Sequence, residues 1–216
     1  MSTAPPNLPK KAKCIAPIPV PTHGSGGVFA VAVTTDIAGP ALLCLEKVLD
    51  LPNYGTWNTF VPRASVISTP TTPTPTDNEA PLPPDVQALT SRPGYATRGS
   101  QIRFDAVMTP GGSSRAVDLE VSFLETLSTA DGSTGYRVVW KTAGSMPHFL
   151  LRSERVQEFV ESVTEDEKTV TSYTTWETFG GALGYVLPRT QIESGFDRWT
   201  EGLKRVVEEE VGGRGE

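Results

Sequence analysis

Histidine and cysteine are scarce in this 216-residue chain, with two of each: His23 and His148, Cys14 and Cys44. No Cys-x-x-Cys, His-x-x-x-His or acidic loop of calcium spacing occurs, so no metal site is expected, and no cofactor either. Two cysteines make no disulfide framework. They read as reduced thiols of a cytoplasmic protein, with a Cys14–Cys44 bridge as the alternative. No apolar run approaches the ~20 residues of a membrane span, and none follows the N-terminal lysines as a secretory signal requires. Positive charge is in deficit: 19 Lys and Arg stand against 25 Asp and Glu, a net charge of −6. That argues against nucleic acid or an anionic membrane as a partner. Gly-x-Ser-x-Gly and a phosphate-cradling strand-to-helix turn are absent too, which disfavours nucleophilic hydrolysis and dinucleotide binding.

Proline, by contrast, is abundant, with 19 residues concentrated in two tracts. Residues 1–26 form a proline-rich leader ending in His-Gly-Ser-Gly-Gly, expected to be disordered. Residues 69–84, TPTTPTPTDNEAPLPP, form a proline–threonine insert that can join neither a helix interior nor a sheet ladder. One domain is expected over residues 27–211, interrupted by that insert, with a short tail at 212–216.

Within the domain the periodicity is plain. Val28 to Thr35 is β-branched and apolar, a first strand. Gly39-Pro40 opens a helix whose buried side is Leu42, Leu43, Leu45, Val48 and Leu49, and Pro52 ends it before a short helical turn. Val61 to Thr69 is a second strand. Ile102, Phe104, Ala106 and Met108 alternate with Arg103 and Asp105. Val117, Leu119, Val121 and Phe123 alternate with Asp118, Glu120 and Ser122. Asp131-Gly132 turns the chain into Tyr136 to Thr142, and two more strands follow near 149–162 and 168–178. After Pro188, Thr190 and Glu193 form a capping box. Ile192, Phe196, Trp199, Leu203, Val206 and Val207 then recur at helical spacing to Gly212-Gly213. The expected order is strand, helix, helical turn, six strands, long helix.

Seven antiparallel strands expose one apolar face, and one long helix cannot fill so broad a concavity, so a cavity should remain. Two stretches carry a family resemblance. One is the Gly-Pro helix followed by Tyr54, Trp57, Asn58 and Phe60; the other is Trp176-Glu-Thr-Phe-Gly-Gly181 ahead of the C-terminal helix. Together they resemble the START-like, Bet v 1-like superfamily, including its polyketide-cyclase and coenzyme-Q-binding branches. The resemblance covers roughly residues 27–211. It implies an α+β helix-grip fold: a seven-stranded curved antiparallel sheet wrapped on a long C-terminal helix, with two short helices between strands 1 and 2. It also implies that the protein encloses a hydrophobic small molecule such as a lipid, sterol, quinone or polyketide-like compound. The Tyr54–Phe60 region and the insert would be its gates.

The alternation nominates Phe104, Met108, Leu119, Val121, Phe123, Tyr136 and Trp140 as ligand-lining residues, with Phe196 and Trp199 facing them from the helix and Trp57 added from the turn that carries the resemblance; taken singly each reads as ordinary core, and as a set they suit an apolar pocket. An apolar lining with a few placed polar groups is how ligand sites are built. For a cyclase or dehydratase on the same fold, Glu177, His148, Tyr173 and Arg152 are the acid–base candidates. Glu177 would have a raised pKa in an apolar pocket; paired with an arginine or facing water it would be inert. Arg152, Glu154 and Glu158 are read as sharing a face with Val156 and Val160, a source of inward polar groups. His23 lies in the leader and has no expected role. A third reading, a module that binds a protein through its outer surface, names no partner.

Overall fold

Apolar β-branched runs pair into an eight-stranded, wholly antiparallel sheet of order β1-β2-β8-β7-β6-β5-β4-β3. The strands are β1 Lys13–Ile15, β2 Phe29–Ala38, β3 Arg63–Ser68, β4 Gln101–Val107, β5 Ser114–Ser128, β6 Thr134–Thr142, β7 Arg152–Val163 and β8 Thr169–Gly180. Helix α1 (Ala41–Leu49) and a 3-10 turn (Leu51–Thr56) connect β2 to β3; α2 (Pro84–Thr90) precedes β4, and α3 (Arg189–Gly213) ends the fold. The computed structural model describes residues 4–5, 7–70, 81–129, 132–144 and 147–213. Most of the proline–threonine insert, Asp131 of the expected hairpin turn and the end of the tail lie outside it.

The sheet has one strand more than expected, and the leader supplies it. Lys13, Cys14 and Ile15 pair with Ala32, Val31 and Ala30 of β2. Beyond β1 the leader crosses the outer face of the sheet. There Ile18 and Val20 cluster with Ala30, Ala32, Val139, Val156 and Trp176. Proline bars a segment from a ladder interior but not from lying flat on a sheet, which is how this one is held. The buried Glu154 carboxylate accepts the Thr22 and His23 backbone N–H groups at 2.9–3.1 Å. Thr178 Oγ1 donates to the Ile18 carbonyl at 2.6 Å. The expectation of a disordered leader therefore fails over its described part.

Helix α3 begins at Arg189, with the Pro188 carbonyl receiving the first backbone bonds from Gln191 and Ile192. Thr190 thus lies inside the helix, and the capping box does not form. Glu193 accepts instead from the Cys14 N–H at 2.6 Å, and Asp197 from the Ala12 N–H at 2.7 Å. Two helix carboxylates thereby satisfy backbone donors of the edge strand, where no neighbouring strand could. Both cysteines are free; burial pushes the Cys14 thiol up to about 11 and the Cys44 thiol up to about 12.

On the inner face the main core joins α1, the 3-10 turn, α3 and the middle of the sheet. Tyr54, Trp57, Phe104, Trp140 and Trp199 meet there at centroid separations of 5.1–6.2 Å. The helix passes so close to the Trp57–Phe60 segment that a Cβ on Gly195 would lie 2.5 Å from the Phe60 ring. One on Gly202 would strike the Trp57 carbonyl. Helix α2, which no periodicity announced, starts on Pro84 at its first turn and buries Val86 and Leu89. Its C-terminal side is tied to α1 through Arg92–Glu46 at 2.6 Å and Ala96 N–H to Leu49 C=O at 2.9 Å.

Candidate functional site

The inner face is filled at one end and hollow at the other. Along β8, Tyr173 is packed in the core, Thr175 follows, and Glu177 and then Phe179 reach the hollow. β7 repeats the gradient: Phe159 and Gln157 are fully buried, while Arg155 and Ser153 line the space. Phe104, Ala106 and Met108 of the β4 strand and its end, Leu119 of β5, and Trp140 of β6 supply the opposite wall. Ile192 and Phe196 close it from α3. The result is a cavity of about 730 Å3, within the 300–1,000 Å3 typical of small-molecule sites. Its exposed lining residues are Thr109, Gly112 and Ser113 of the β4–β5 turn, Arg115 and Val117 of β5, and Pro188 and Gln191 at the start of α3. The mouth therefore lies between that turn and that helix end. Tyr54, expected in a gate, is fully buried in the core.

The nominated lining residues separate into three groups. Phe104, Met108, Leu119, Trp140 and Phe196 stand on the cavity wall. Trp57, Val121 and Trp199 belong to the packed core, and Tyr136 packs against it with its hydroxyl 3.4 Å from Asp85. Phe123 is on the other face of the sheet, among Ile18, Val20 and Trp176. A β-bulge between Val121 and Phe123 inverts the alternation, so Leu124 takes the inner position that Phe123 was expected to hold.

Of the four acid–base candidates, Glu177 alone lines the cavity. Tyr173 is fully buried and donates to Gln157 Oε1 at 2.7 Å; burial raises its pKa. Arg152 reaches the Gly26 carbonyl of the leader. His148 is exposed and meets His23 edge-on at 5.3 Å, which brings the two histidines together away from the cavity. Burial lowers the His23 pKa, with Glu154 opposing. Among the described residues, no three His, Cys, Asp or Glu side chains form a metal-holding group.

Sequence reasoning missed Arg155, the most unusual side chain of the site. It is only 3% exposed, and its guanidinium is stacked 4.2 Å from both the Phe196 and Trp199 rings. Nε donates to Thr175 Oγ1 at 3.1 Å. Nη2 is buried with no hydrogen-bond partner among the described residues. Two aromatic faces stabilise the buried cation by ~2 kcal/mol or more, but an unmade hydrogen bond costs about as much. Arg155 is registered directly opposite Glu177 across β7 and β8, yet no salt bridge joins them. Glu177 has intermediate exposure because it faces the hollow. Burial pushes its pKa up, while the Arg155 charge and the Ser153 hydroxyl pull it down. The Glu177 carboxyl and the Arg155 guanidinium thus stand side by side, without a salt bridge, at the inner end of an apolar chamber.

Arg155 was hidden because β7 is buried on both faces: residues 153–159 are all buried. Glu154 and Glu158 face outward, where the leader holds Glu154, and Glu158 accepts Arg137 at 2.6–3.0 Å. With the outer side covered, polar and apolar residues no longer mark opposite faces. Cross-strand register from Glu177 was the one signal that could have exposed it.

No family model matches the chain. Among curated proteins it is 27% identical over 176 residues to oxopyrrolidines biosynthesis cluster protein O from Penicillium oxalicum, with 78% of each chain covered. Among solved structures, a hypothetical protein from Helicobacter pylori superposes with a TM-score of 0.51 at 12% identity, covering 86% of this chain and 91% of that one. A START superfamily protein from Mycobacterium smegmatis follows at 0.49 and 12%, covering 83% and 97%. Among the described residues no helix is long and apolar enough to cross a membrane. A curved antiparallel sheet gripping a long C-terminal helix around an inner cavity is a helix-grip fold, and that is the fold of this chain.

Proposed function

We propose that this protein binds a hydrophobic small molecule in the cavity between the sheet and α3. The observation that carries the reading is a 730 Å3 chamber walled by Phe104, Leu119, Trp140, Phe179 and Phe196, with polar groups confined to a few positions. Apolar burial at ~25 cal/mol per Å2 supplies the affinity, and the polar groups orient the ligand. The Penicillium relative is named for oxopyrrolidine biosynthesis, which favours a fungal-type secondary metabolite over a membrane lipid. Thermal unfolding in the presence of candidate ligands tests this. A ligand at a hundred times its dissociation constant adds about 2.7 kcal/mol of stability, so roughly 5–10 °C in Tm for a chain of this size. No Tm change across sterols, quinones, fatty acyl compounds and polyketide-like aromatics would defeat the proposal.

A second reading, an acid–base enzyme of the cyclase or dehydratase kind, is favoured by one feature. Among the described lining residues Glu177 is the only carboxyl, and burial raises its pKa toward the range of a working proton donor. On that reading Glu177→Gln, which keeps the volume and removes the proton transfer, abolishes turnover by at least about a hundredfold while ligand-induced stabilisation persists. Turnover retained in this variant would leave binding alone.

A further inference from the structure

Resting on the hydrophobic-ligand reading above, we infer that the ligand is an apolar monocarboxylate whose head docks between Arg155 and Glu177. Three observations carry this. The Arg155 guanidinium lines the cavity, is nearly inaccessible, and has a buried Nη2 without a partner among the described residues. Its other contacts are fixed: Thr175 takes Nε, and Phe196 and Trp199 clamp the guanidinium. The cation is thus already oriented before any ligand arrives. The positive charge of Arg155 is not neutralised by a salt bridge, since Glu177 stands opposite without forming one. A buried charge of this kind is costly unless something completes it.

A carboxylate completes it with the opposite charge. One oxygen accepts from the Arg155 guanidinium where it lines the cavity. The other lies beside the Glu177 carboxyl, whose charged form burial disfavours. An alkyl or aryl body then lies along Phe104, Leu119 and Phe196 toward the mouth. A cationic head would face Arg155 unscreened, and an ester would offer acceptors without the charge that strengthens the bond. A dianionic phosphate would bring a second charge that one guanidinium cannot balance.

The test is displacement of Nile red, a neutral apolar dye, from the full chain at pH 7 by dodecanoate, methyl dodecanoate and dodecylamine. Dodecanoate should displace it at least about tenfold more effectively than either analogue, the equivalent of one charge-assisted hydrogen bond. In Arg155→Met the preference should vanish while methyl dodecanoate still competes, with far-UV circular dichroism confirming the fold. Equal displacement by the ester or the amine in the unmodified protein would overturn the inference even if the variant did not fold. So would a carboxylate preference that survives Arg155→Met. Failure of the dye and all three compounds to bind would instead sink the hydrophobic-ligand reading, and this inference with it.

Discussion

Trp199→Ala should remove about 3–5 kcal/mol of unfolding free energy, the upper range for truncating a buried aromatic. The side chain is fully buried. It stands at the junction of every element that closes the inner face: Tyr54 and Trp57 at 5.5 and 5.4 Å, Trp140 at 6.0 Å and Phe104 at 6.2 Å. Its ring also forms one wall of the Arg155 clamp at 4.2 Å. Truncation would therefore leave a cavity and strip the guanidinium of an aromatic partner, two losses that reinforce each other. Natural domains have about 5–15 kcal/mol in total, so the variant should be close to unfolding. Urea titration followed by far-UV circular dichroism measures this. A loss under about 1 kcal/mol would mean that α3 does not anchor the core as described.

Removing residues 1–26 should have a comparable effect, although their composition suggests a tail. Ile18 and Val20 are 6% and 5% exposed, and burying two such side chains is worth about 3–6 kcal/mol. The deletion would also take away the partners of the buried Glu154 carboxylate and the backbone donors held by Glu193 and Asp197. Trp176, fully buried on the outer face beneath this segment, would meet water. The expected result is a large drop in the denaturation midpoint together with a red shift of tryptophan emission. An unchanged midpoint and emission would show the leader to be a passive appendage.

These two cases show where the sequence is transparent and where it is not. Seven of the eight strands, α1 and α3 were legible because alternation and helical spacing survive wherever one face is dry and the other wet. β4, with Ile102, Phe104 and Ala106 inward and Arg103 and Asp105 outward, is the clearest instance. β1 was not legible: three residues, Lys13–Ile15, are too short to show a period, and the prolines around them signal loop. The Phe123 assignment failed because one bulged residue inverts every later position on the strand. The capping box at Thr190 failed because Pro188 starts the helix earlier, which releases Glu193 to hold the edge strand instead.

The sequence by itself determined the class of the fold, the faces of most strands, and the choice of Glu177 as the carboxyl worth watching. Those depend on local period and on chemistry carried by single residues. Tertiary structure alone decided which half of the inner face is packed and which is hollow. Tyr173 and Glu177 share a strand face, yet one is sealed against Phe159 and the other opens on the cavity. How far α1 and the 3-10 turn reach along the sheet decides between them, and no pattern within β8 records that distance. The stacking of Arg155 between Phe196 and Trp199 was decided the same way. It requires β7 and α3, separated in the chain by the whole of β8, to present a cation and two rings to one point. A code of spacing within a single element cannot express that.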